Sequence, residues 1–102
     1  LSWSVMEEGP YSVGYQSWEL RFDSVIDGSE RVIDVHAWYP TLDTTGEEVA
    51  YLGFYADTES LGDATPAPSA YADGYPVHIY SHGNTMFGGD ASHLMRYFAS
   101  HG

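Results

Sequence analysis

The chain has no cysteine and no lysine. Without cysteine there are no disulfides, no thiolate-bound zinc and no thiol nucleophile, and the redox compartment stays open. Basic side chains are limited to Arg21, Arg31 and Arg96, against 15 acidic residues, for a net charge of -12. Such a balance disfavours nucleic acid and anionic lipid surfaces as partners. It fits a secreted, periplasmic or salt-adapted protein kept hydrated by its acidic surface, and equally an acidic exterior with no specific role. Long apolar runs are missing too: nothing approaches the roughly 18 residues a spanning helix needs, and there is no basic-then-apolar leader. With 102 residues and 43% hydrophobic content there is material for one small domain. A domain of that size buries a smaller share of its surface than a larger one. No internal repeat or low-complexity block stands out.

What is present begins with two alternating stretches. Trp18, Leu20 and Phe22 alternate with Ser17, Glu19 and Arg21, and Ile33, Val35, Ala37 and Tyr39 alternate with Asp34, His36 and Trp38. This period of two predicts half-buried strands, and Asp27-Gly28 between them predicts an antiparallel hairpin over 13–40, stopped at Pro40. Residues 41–75 carry little periodicity and hold Gly62, Pro66, Pro68 and Gly74. They predict a long connection, with Tyr51, Phe54 and Tyr55 packing its first half against something.

The segment from Pro76 to Gly102 carries the most information. Val77-His78-Ile79-Tyr80 reads as an apolar strand, Ser81-His82-Gly83-Asn84-Thr85 as a glycine turn, and Ala91, Leu94, Met95 and Phe98 fall at helical spacing. Asp90 is the expected N-cap and Gly102 the expected C-terminal stop. A strand running through a glycine turn into a helix leaves backbone N–H groups unpaired, an arrangement that can hold a developing oxyanion. Such a unit normally continues into a second parallel strand.

This order of parts resembles the beginning of an α/β-hydrolase. The hairpin ending in Trp38-Tyr39-Pro40, the long loop, the Tyr75-Pro76-Val77-His78-Ile79-Tyr80-Ser81-His82-Gly83 run and the closing Ala99-Ser100-His101-Gly102 are similar to bacterial hydrolases of the platelet-activating-factor acetylhydrolase and dienelactone hydrolase kind. The resemblance covers about residues 13–102 and implies an α/β fold incomplete by itself. It would comprise the hairpin, the first central strand, the oxyanion loop and the first helix, all within one domain. It also implies a serine carboxylic-ester hydrolase in which the backbone N–H of Asn84 is one oxyanion donor, with Gly83 giving the turn its freedom. Neither a Gly-x-Ser-x-Gly elbow nor the later Asp and His of a triad occurs in these residues. The nucleophile and triad are therefore expected on a second polypeptide carrying the remainder, and this chain alone is expected to be inactive. No cofactor is implied; the partners expected are that remainder and an ester substrate, with no nucleic acid and no membrane span.

Other chemistry fits less well. Ser81 and His82 are adjacent, so on a strand they point to opposite faces and cannot easily hydrogen-bond as nucleophile and base, and Ser81 lacks the flanking glycines of an elbow. His78 and His82 would lie about 13 Å apart along a strand, and His93 and His101 about 12 Å apart along a helix, too far to share an ion. No Asp-x-Asp-x-Asp-Gly loop offers a calcium site. A different class stays open: a self-contained acidic module in which Trp18, Trp38 and several of the nine tyrosines stack on a carbohydrate or apolar ligand.

Overall fold

The computed structural model describes residues 7–53, 55–81 and 91–102. Four strands and one helix follow one another: β1 (Ser12–Asp23), β2 (Glu30–Thr41), β3 (Glu47–Tyr51), β4 (Tyr55–Gly62) and α1 (Ser92–His101). The strands form one mixed sheet in the order β2-β1-β4-β3.

The hairpin expected from the alternation is present, with Trp18 opposite Val35 and Leu20 opposite Ile33. Gly28 takes φ 72° in the connection, a conformation glycine adopts without cost. Local bonds stiffen this turn: Ser24 N–H reaches Ser29 O at 2.8 Å, and Ser29 donates through N–H at 3.0 Å and Oγ at 2.6 Å to Asp27 Oδ1. Those donors hold the Asp27 carboxyl below its ordinary pKa. The strand does not stop at Pro40 but runs one residue further, to Thr41, which is fully buried and donates its hydroxyl to Thr65 O at 2.6 Å. β2 is an outer strand of the sheet, where proline is tolerated.

The expected long connection over 41–75 is corrected by the structure, because it contains β3 and β4. β4 runs parallel to β1, with Val13 opposite Ser60, and β3 is antiparallel to β4. The buried residues of β4 are Asp57, Ser60 and Gly62, so its inward side is polar. An apolar alternation could not reveal a strand built that way. A register shift between Glu47 and Val49 sets five steps of β4, from Asp57 to Gly62, against two of β3. This irregularity lets Asp57 and Ser60, three residues apart, meet at one hydrogen-bonded point at 2.7 Å.

The expected first central strand, Val77 to Tyr80, is not part of the sheet. Val77 is 81% and Ile79 91% exposed, so the apolar character that predicted a strand is present but not buried. The helix is where its periodicity put it. Gly102 closes it at φ 100° with its N–H on Ala99 O, while Ala91 occupies the N-cap without a side-chain bond. The expected N-cap, Asp90, lies outside the described residues.

α1 packs against β2 and β1 with little of its expected stripe buried: Ala91 is covered, but Leu94 is 42% and Phe98 36% exposed. Its C-terminal turn is held by backbone ties instead, with Tyr11 N–H on Ser100 O at 3.0 Å and Gly9 N–H on Ser100 Oγ at 2.8 Å. The buried apolar residues among those described are small in the main: Val13, Val49, Tyr51, Ala64, Ala67, Ala91 and Ala99. Trp18, Leu20, Phe22 and Ile33 stay half exposed on one face of the hairpin. The radius of gyration, 15.2 Å, exceeds the roughly 13 Å of a compact chain near this length. The chain is thus more open than a compact domain of its length.

Candidate functional site

Two features offer chemistry. The first is a cleft of about 580 Å³ along the outer side of β2, walled by Ile33, Val35 and Tyr39, by Val77 and Ile79, and by Phe98 of α1. No strand pairs with the outer edge of β2 among the described residues. Residues 76–81 likewise enter no ladder. A sheet edge and an apolar segment therefore face one space, with a helix beside them. His78 stacks on Phe98 with ring centroids 4.4 Å apart and planes at 10°, joining the segment to the helix. Asp34, His36 and His78 are the carboxylate and imidazoles lining an otherwise apolar cleft.

The second feature is a buried polar node at Asp57, whose side chain is 2% exposed. Its Oδ2 accepts from the Tyr51 hydroxyl, from Ser60 Oγ at 2.7 Å and from Arg96 Nη1 at 3.0 Å. Its Oδ1 accepts from Glu59 N–H at 3.0 Å. Arg96 extends its other nitrogen, Nη2, to Glu59 Oε2 at 3.2 Å. Burial by itself would raise the Asp57 carboxyl, but the bonds from Tyr51, Ser60 and Glu59, with the Arg96 charge, outweigh it and leave the group below its ordinary value. Tyr51 moves the opposite way: burial first, then its bond to Asp57, push its phenol up to about 12.

An aromatic cluster backs this node. Trp38 Nε1–H donates to the Tyr51 hydroxyl at 3.1 Å, and Tyr15 lies against Trp38 and Tyr51 with centroids at 5.3 and 5.5 Å. The Tyr15 hydroxyl meets His36 Nδ1 at 2.5 Å. Burial raises the Tyr15 phenol, with the Asp57 charge acting in the same direction.

The expected oxyanion residues, Gly83 and Asn84, lie outside the described residues, as does His82. Trp18 and Trp38 both border the cleft, but the register sets them on opposite faces of the hairpin, Trp18 across from Val35 and Trp38 across from Tyr15. They do not form one flat stacking platform. Sequence reasoning missed Asp57, Ser60 and Arg96 as a group; 39 positions separate Asp57 from Arg96, and no spacing rule connects them. Among the described residues no cluster of His, Asp and Glu could hold a metal ion. In comparisons with known proteins the chain matches no family model, no curated protein and no solved structure.

Proposed function

We propose that the chain is the N-terminal part of an α/β-hydrolase acting on carboxylic esters, completed by a remainder that carries the serine nucleophile and its His and Asp. In this reading the backbone N–H of Asn84 is one oxyanion donor, Gly83 gives the turn its conformation, and no cofactor is needed. The observation that carries the reading is the cleft between the outer edge of β2, residues 76–80 and α1. Unsatisfied strand edges are a liability, and a strand following a helix of this kind pairs in parallel with its predecessor. A further strand laid in the cleft would satisfy β2 and the Val77–Tyr80 segment together and cover the exposed side of Phe98.

The test is ester turnover by the complete protein. Removing or displacing one oxyanion donor costs about 10² to 10³ in turnover. Gly83→Val should therefore fall by that order with its fold intact by circular dichroism, while Asn84→Ala, which keeps the main-chain donor, should retain substantial activity. A fluorophosphonate probe should label the remainder and not residues 1–102. Near-normal turnover in a well-folded Gly83→Val variant removes the catalytic role of the turn.

One observation favours a second reading, a binding module for an apolar ligand: the cleft volume, about 580 Å³, falls within the range of small-molecule sites. The two readings part on isolated material. A module is monodisperse alone and binds an apolar dye stoichiometrically, whereas a part of a larger fold associates with its remainder and loses the cleft on doing so.

A further inference from the structure

Asp57 is the only buried charged side chain among the described residues. Donors reach it from three elements: Tyr51 on β3, Ser60 and the Glu59 amide on β4, and Arg96 on α1. The Arg96 contact stands out because of what α1 otherwise lacks. With Leu94 and Phe98 more than a third exposed, apolar adhesion of the helix is weak. Its Ser100 bonds run to Gly9 and Tyr11, ahead of β1, so its bonded hold on the β3–β4 half of the sheet is the Arg96 guanidinium, 19% exposed, against the Asp57 carboxylate, 2% exposed, and the exposed Glu59.

We propose that Asp57 and Arg96 form an acid-sensitive latch that fixes α1 onto the β3–β4 half of the sheet. A carboxylate is an acceptor only, which suits four converging donors. When Asp57 takes up a proton, a fifth hydrogen enters a site crowded with hydrogens, and Glu59, whose side chain is 62% exposed, is the one carboxylate left to Arg96. A surface pair of that kind holds little. Loss of the buried partner leaves the helix with its Ser100 and His101 ties to residues 7–11 and a partly exposed apolar side.

The groups around the carboxylate do not replace it. From β3 the Tyr51 phenol, pushed up to about 12, stays neutral; from β1 Tyr15 is likewise raised by burial; from α1 come Arg96 and, beside it, Ser92 Oγ at 3.4 Å. From β2 Trp38 reaches Tyr51, and His36 reaches Tyr15. Glu59 is the remaining carboxylate on Arg96. The folded pKa of Asp57 lies below its ordinary value of 3.8. The latch therefore contributes in full above that ordinary value and is lost as pH falls through the folded one.

The latch stands or falls apart from the esterase reading, because its test reads helix protection and not turnover. Hydrogen exchange of the complete protein, expressed as protection factors corrected for intrinsic rates, should be followed in α1 and in the β1–β2 hairpin from neutral pH downward. In the unsubstituted protein α1 should lose protection in the acid limb while the hairpin keeps its own. Asp57→Asn, which leaves Arg96 with the exposed Glu59 as its one remaining carboxylate partner, should lower α1 protection about a hundredfold at neutral pH and abolish its acid dependence. Arg96→Gln should act in the same way and Arg96→Lys should restore part of the loss, while Glu59→Gln should have a small effect. Unchanged α1 protection in Asp57→Asn overturns the proposal. So does a loss shared equally by the hairpin in Asp57→Asn and Arg96→Gln alike, since Asp57 would then support the whole fold and not the helix.

Discussion

Tyr51→Phe isolates the worth of a single oxygen at the polar node. The Tyr51 residue is 5% exposed, and phenylalanine keeps its ring packing against Tyr15 and Trp38, so the apolar burial hardly changes. What disappears is the hydroxyl that donates to Asp57 and accepts from Trp38 Nε1. A hydrogen bond to a charged acceptor contributes about 1.5–3 kcal/mol, and an indole N–H left without its partner adds about 1 kcal/mol where water can still approach. The sum, about 2.5–4 kcal/mol, is a large fraction of the roughly 5–15 kcal/mol that holds an ordinary domain. With a urea slope of about 2 kcal/mol per molar, the unfolding midpoint of the complete protein should fall by about 1–2 M with the slope unchanged. The pH dependence moves as well. Tyr51 is one of the donors holding the Asp57 carboxyl down, so its removal lets that carboxyl protonate at higher pH, and the acid limb of the stability profile should shift upward. Urea melts followed by tryptophan fluorescence across pH measure both effects. A variant within about 0.5 kcal/mol of the parent, with the acid limb in place, would refute the assignment of the Tyr51 hydroxyl as a donor that stabilises the Asp57 carboxylate.

Gly14→Ala tests the packing at the base of the hairpin: a Cβ there would lie 2.3 Å from Tyr39 Cε2, displacing a ring whose hydroxyl donates to Ala64 O at 2.5 Å. The expected loss is about 1–3 kcal/mol in a urea melt, and a neutral result would mean the ring is not held. Salt should stabilise the protein, because Glu19 faces Asp34 and Asp23 faces Glu30 across the hairpin, with Arg21 bridging only Glu19 and Glu30 from an exposed position. Melting temperature should rise between about 0.01 M and about 1 M sodium chloride, and a fall counts against the argument. Residues 1–102 expressed alone should bind an apolar dye and aggregate, since Trp18, Leu20 and Phe22 are nearly half exposed and Val77 and Ile79 almost wholly so; dispersed amide NMR signals and a cooperative melt would contradict this.

The hairpin and the helix could be read from the chain because each repeats apolar and polar side chains with a period that recurs within a dozen residues. Trp18, Leu20 and Phe22 announce β1 even though half of each is exposed, and Gly28 and Gly102 mark their turns through backbone freedom that no other residue supplies as cheaply. Net charge, the absence of thiol chemistry and the apolar character of Val77 to Tyr80 are likewise properties of composition and need no fold. Three matters were decided only by tertiary structure. β4 is a strand because it pairs with β1 and β3, and its inward Asp57 and Ser60 find donors that sequence distance conceals. Val77 to Tyr80 stays out of the sheet because strand formation needs a neighbour as well as an apolar sequence, and the edge of β2 is separated from it by the cleft. Asp57 and Arg96 meet because the sheet and the helix bring positions 39 apart within 3.0 Å, and burial turns an ordinary acid and base into a bonded pair. Local periodicity records which side of an element is apolar; it holds no information about which polar groups the folded chain will enclose together.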